Sequence, residues 1–93
     1  VSETKFTPGP WGLDASVQFI TVGPEDGFPV AEITVDTDEY GKDEHWANAH
    51  LIAAAPSLYA ACERIVQEDA NGEISIGAIE DCIFALKKAR GEQ

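Results

Sequence analysis

His45 and His50 flank Trp46-Ala47-Asn48-Ala49 and are the natural first candidates for metal or acid–base chemistry. Two histidines on one helix converge on a single metal ion when they stand at i and i+4. Here they are five apart, which turns the two rings about 140° from each other around a helix. Glu44 and Asn48 do stand four apart, a spacing that suits a pair on a helix surface better than a metal site. No ligand spacing of a zinc or calcium site occurs, so no metal and no cofactor are expected. None of the serines stands in a Gly-x-Ser-x-Gly setting, and Gly9, Gly12, Gly23 and Gly27 do not form a phosphate-cradling loop ahead of a helix. Cys62 and Cys82 fall on the apolar stripes of predicted helices, where two buried thiols are expected rather than a disulfide or a reactive cysteine. These absences predict no enzyme, with an enzyme of unrecognised site as the remaining alternative.

The other chemistry the chain offers is charge. Seventeen acids against six bases give a net charge of −11, which argues against direct binding to nucleic acid or to an anionic membrane. Residues 25–44 hold eight of the acids and one base, Lys42, and so carry −7. Within that segment Asp36, Asp38, Glu39, Asp43 and Glu44 form a candidate partner-binding surface. Two readings stand side by side. The carboxylates are a solvated face that keeps a small protein soluble. Alternatively they mimic DNA phosphates and occupy a basic groove on a host defence nuclease, in the manner of an anti-restriction or anti-CRISPR inhibitor, with association speeded by charge steering.

The elements that position these residues follow from periodicity. Trp46–Val66 is the longest apolar periodic stretch: Leu51, Ala55, Leu58, Cys62 and Ile65 mark one helical stripe, widened by Ile52, Tyr59 and Val66. Pro56 lacks an N–H and crowds the carbonyl four residues back, so it either kinks one long helix or opens a second. Two nearly abutting segments, about 44–54 and 56–69, are expected, with Asp43 as the N-cap of the first. Ser75 is the expected N-cap of a last helix running to Arg90, whose apolar positions are Ile76, Ile79, Ile83 and Leu86. Lys87, Lys88 and Arg90 suit its C-terminal end. Ahead of the helices, 11–15, 16–22 and 28–35 read as strands, separated by the turn signal Gly23-Pro24-Glu25-Asp26-Gly27. Leu13, Val17 and Phe19 alternate, and Ile20 and Val22 break the alternation.

The prediction is one α+β domain over 1–93. It has a flexible N-terminus at 1–6, a strand region at 7–35 and an acidic loop at 36–43. A helical region at 44–90 follows. A three-stranded antiparallel meander should pack one face on two to three helices. Trp11, Phe19, Ile33, Leu51, Ile52, Leu58, Ile65, Ile79, Ile83 and Leu86 should form the core. Ala49, Ala53, Ala54, Ala60 and Ala61 allow close packing against the sheet or last helix, or a close helix contact with a second copy. No run of 18 apolar residues occurs and the N-terminus lacks signal-peptide order, so no membrane partner and a cytoplasmic location are expected.

Two motifs remain. Thr7-Pro8-Gly9-Pro10-Trp11 is a stiff lead-in to the strand region. Asn48-Ala49-His50-Leu51-Ile52-Ala53-Ala54-Ala55-Pro56-Ser57-Leu58-Tyr59-Ala60-Ala61 follows the acidic loop. Together they resemble a widespread group of small phage and prophage proteins with the pattern TPGPW … NAxLIAAAPxLLxAL, over roughly residues 6–67. Tyr59 departs from the usual second leucine but stays apolar. The resemblance implies a phage or prophage setting and carries over no catalytic residue. It marks Pro8, Gly9, Pro10, Trp11, Asn48, Leu51, Ile52, Pro56 and Leu58 as architectural. The expected function is that of a non-enzymatic accessory protein acting by protein–protein binding, with an unidentified protein partner or a homodimer through the helices.

Overall fold

The computed structural model describes residues 5–16, 19–34 and 42–92. Three short strands, β1 (Gly12–Ala15), β2 (Phe19–Gly23) and β3 (Ala31–Thr34), precede three helices, α1 (Lys42–Ala53), α2 (Ala55–Ala70) and α3 (Ile76–Ala89). The strands form an antiparallel meander in the order β1-β2-β3, and the architecture is α+β. Leu13 pairs with Val22, Ala15 with Ile20, Ile20 with Ile33 and Val22 with Ala31. Residues directly opposite each other share a face of a sheet, so this set forms the apolar side. Ile20 and Val22 are its buried centre, and α1 lies across all three strands.

The phase differs from the sequence expectation. Leu13 and Phe19 do not alternate along one face, because β1 ends at Ala15 and the chain turns before Phe19. Ser16 closes that turn, with its N–H donating to Phe19 O at 2.8 Å and its Oγ accepting from Phe19 N–H at 3.3 Å. The second turn closes through Gly27 N–H on Pro24 O at 3.3 Å and Val30 N–H on Val22 O at 2.7 Å. A Cβ on Gly23 would lie 2.9 Å from the Pro29 backbone, which is why a glycine stands where the chain doubles back.

Pro56 breaks the helical run. α1 ends at Ala53, Ala54 alone separates the helices, and Pro56 sits in the first turn of α2, where its missing N–H costs little. The hydrogen bonds nonetheless run nearly without a gap. Ala54 N–H reaches His50 O at 3.0 Å, and Leu58 N–H reaches Ala54 O at 2.9 Å. α1 begins at Lys42, so Asp43 lies inside its first turn with Glu44 and is not the N-cap; both acids still suit the positive end of the helix. Ser75 caps α3 as expected, its side chain accepting from Ala78 N–H at 3.1 Å.

The lead-in and the proline break meet. Gly9 lies against Pro56 so closely that an added Cβ would stand 2.6 Å from Pro56 Cβ. Phe6 meets Tyr59 edge-on at 5.0 Å between ring centroids. Trp11 is half-buried and donates from Nε1 to Thr7 O at 3.1 Å, which folds the lead-in back on itself. Gly9→Ala should therefore cost about 1–3 kcal/mol by overpacking, read as a lower urea midpoint at an unchanged slope. A fully neutral substitution would show that the lead-in can lift off α2 freely.

Candidate protein-binding surface

The helices bury their small residues and leave many of their large ones outside. Among the described residues the core is Ile20, Val22, Ala49, Ala53, Ala54, Ala61, Ala78 and Ala85. None of the ten side chains expected to form it is fully buried. Trp11, Phe19, Ile33, Ile52, Leu58 and Ile65 are half-buried, whereas Leu51, Ile79, Ile83 and Leu86 are exposed. The cause lies in helix packing. Ala61 is the buried residue of α2, and Ala78 and Ala85 are those of α3, so each helix turns a small-residue side inward, where short side chains let backbones come close. Of the five alanines singled out by the sequence, Ala49, Ala53, Ala54 and Ala61 serve this close packing, and Ala60 is exposed.

The excluded residues form stripes. At about 100° per residue, Ile76, Ile79, Ile83 and Leu86 cluster about 130° around α3 from Ala78 and Ala85. On α2, Ala55, Tyr59, Cys62 and Val66 cluster about 130° from Ala61 in the same rotational sense. The two helices are antiparallel, as the Arg64–Asp81 and Glu68–Ser75 pairings require. Equal offsets in the same sense therefore bring both stripes out on one side of the hairpin. Val66 is 67% exposed, and Ile79 and Ile83 are each 49% exposed. Cys62 is an exposed thiol on this face, which corrects its expected burial, and Cys82 is half-buried; both are free.

Ionic contacts fix the hairpin from its other side. Arg64 Nε donates to Glu68 Oε2 at 2.8 Å and Nη1 to Asp81 Oδ2 at 2.7 Å. Glu68 Oε1 accepts the Ser75 N–H at 2.6 Å, tying the end of α2 to the cap of α3. The Ser75 N–H and then the Arg64 guanidinium hold the Glu68 carboxyl down at about 2, against an ordinary value of 4.5. A carboxylate depressed in the folded state stabilises it above its unfolded pKa, and this contribution is lost as protons are taken up below that value. Stability should thus fall between about pH 4.5 and pH 2, and Glu68→Gln should flatten that part of a pH titration of the urea midpoint. A titration identical in the two proteins would show that the contact does not persist in solution.

Among the described residues, those singled out for charge or metal chemistry are not brought together. Asp43 and Glu44 are exposed in the first turn of α1, and Asp36, Asp38 and Glu39 lie outside the described residues. His50 is tilted against Trp46 at 6.3 Å, and a Cβ on Gly91 would lie 2.9 Å from its ring. The imidazole thus packs between α1 and the end of α3. Among the described residues no group of three metal-ligating side chains converges. An open cleft of about 590 Å³ runs along the outside of β1 and β2 between Trp11, Leu13, Pro24 and Pro29, with Asp14 and Glu25 at its wall. No described helix is long and apolar enough to cross a membrane.

The chain is thus a small α+β domain whose helical hairpin leaves large apolar side chains exposed on one side. Residues 2–93 match the family model of Salmonella phage P22 protein Y8K6, and the chain belongs to that family. The phage setting therefore rests on nearly the whole chain. No curated protein and no solved structure matches it.

Proposed function

We propose that the chain is a non-enzymatic phage accessory protein that acts by binding another protein, and that its contact surface is the apolar side of the α2–α3 hairpin. The observation that carries this reading is the exposure of Val66, Ile79, Ile83 and Leu86 on one side of two adjacent helices. Scattered single apolar residues are ordinary on a protein surface, but a continuous face of large aliphatic side chains marks an interaction site. The acidic segment then serves solubility and repels nucleic acid.

Two variants separate the helical face from the acidic segment. The first carries Ile79→Glu with Ile83→Glu, and the second Asp36→Asn, Asp38→Asn and Glu39→Gln. Neutralising the three acids should leave stability within about 0.5 kcal/mol, since they stand among like charges in the sequence. In capture from lysate of phage-infected cells, the acidic variant should retain whatever the parent retains, and the helical variant should lose it. Loss in the acidic variant alone, with binding of the parent falling steeply as salt rises, would move the site to the carboxylates and support DNA mimicry.

A further inference from the structure

We infer that the partner of the α2–α3 face is a second copy of this chain, docked with its hairpin antiparallel so that α3 lies over α3 and α2 over α2 about a two-fold axis. The inference rests on the reading of that face as a protein-binding surface.

Three observations select this occupant. The first is area. The chain has an accessible surface of 6965 Å², whereas a compact monomer of 10.0 kDa has about 5,200 Å². The excess, about 1,700 Å², belongs to the whole chain and leaves room for the roughly 800 Å² that each partner gives to a standard interface. Its radius of gyration, 15.3 Å, likewise exceeds the roughly 12 Å of a compact chain this long, and the molecule extends 51 × 25 × 16 Å. One chain alone is elongated, and its α2–α3 hairpin carries exposed aliphatic residues on one side.

The second observation is where the charge lies. Residues 55–93 hold seven acids and four bases, a net −3, whereas residues 25–44 carry −7. The repulsion between two copies of a chain of charge −11 is thus concentrated away from the hairpin.

The third is the polarity of the hairpin itself, which is acidic at its turn end, with Asp69, Glu73 and Glu80, and net basic at its open end, where Lys87, Lys88 and Arg90 outnumber Glu92, which Arg90 Nε pairs at 2.7 Å. Antiparallel docking sets each basic end over the acidic end of the partner subunit, whereas parallel docking would set acid on acid. A two-fold contact needs a self-complementary face, and this one is complementary to itself only when reversed. The stripe Ile76, Ile79, Ile83 and Leu86 is nearly symmetric about its own midpoint, so reversal lays Ile79 over Ile83 and Ile76 over Leu86.

Sedimentation equilibrium of the purified full chain at tens of micromolar tests this. The expected mass is twice the 10.0 kDa of the chain. Ile79→Glu with Ile83→Glu, and separately Val66→Glu, should give the single-chain mass with helical circular dichroism retained. Phe84→Ser is the control: Phe84 is exposed but lies off the stripe, so this variant should stay dimeric. Arg90→Glu should weaken the dimer at least tenfold, and adding Glu73→Arg should restore it. A monomeric parent, or a Val66→Glu or Ile79→Glu with Ile83→Glu protein that remains dimeric, would overturn the inference. A dimer lost on Arg90→Glu but not restored by Glu73→Arg would overturn the antiparallel arrangement. A monomeric parent that still captures another protein through the helical face would leave the protein-binding reading standing, and a monomer that captures nothing through it would remove both.

Discussion

Ile20→Ala should lower the stability of the folded chain by about 2–5 kcal/mol, the largest loss expected of any truncation here. Ile20 and Val22 are the only large side chains among the described residues that are essentially inaccessible, at 1% and 0% exposure. Ile20 stands at the centre of the meander, paired with Ala15 on one side and Ile33 on the other, beneath α1. Removing three carbons there loses their transfer free energy and leaves a void that strands held on both edges cannot close. A domain this small has roughly 5–14 kcal/mol in all, so the variant should be partly unfolded near 37 °C. The measurement is the urea midpoint at one fixed protein concentration for every variant. Phe28→Ala gives the contrast. It deletes a larger side chain, but Phe28 is 91% exposed, and stability should change by no more than about 0.5 kcal/mol. Equal losses at the two positions would show that the sheet does not pack on α1 as described.

Ala85→Leu should be the most damaging enlargement, at about 1–3 kcal/mol and toward the upper end of that range. Ala85 is fully buried on the side of α3 that faces the rest of the molecule, and α3 there packs on both α1 and α2. Three added carbons fit only if α3 moves outward, and that would also pull apart the Arg64–Asp81 pair. Urea unfolding should show the loss, and the fluorescence of Trp46 on α1 should shift as the helices separate. The neighbouring change Phe84→Ala removes a far larger group from the same helix yet should cost little, because Phe84 is two-thirds exposed. If Ala85→Leu were neutral and Phe84→Ala costly, α3 would have to be rotated by about a quarter turn from the position described.

These pairs also mark where sequence reasoning reached its limit. Periodicity located all three helices to within two residues, because apolar spacing and the Ser75 cap are local features that act within a turn or so of the chain. It also placed the break at Pro56, since a missing N–H is a property of the residue itself. It chose the wrong side of α3. The rule that large apolar residues point inward assumes that one chain supplies the whole core, and Ile79, Ile83 and Leu86 obey it only if a second surface covers them.

What the amino-acid sequence determined by itself, then, is local or compositional. It defined the antiparallel meander with its helices, the two-helix division at Pro56, the acidic stretch ahead of α1 and the membership of residues 2–93 in a phage family. Only the tertiary structure decided which face of each helix is inside. It brought Gly9 onto Pro56, joining two motifs far apart in the chain, and it set Arg64 between Glu68 and Asp81. The physical reason is that burial is a competition between faces. Isoleucine gains more than alanine on leaving water, but alanine lets two backbones approach and the Arg64, Glu68 and Ser75 hydrogen bonds form. In α2 and α3 the alanine side is the buried one, and many of the larger aliphatic side chains are exposed.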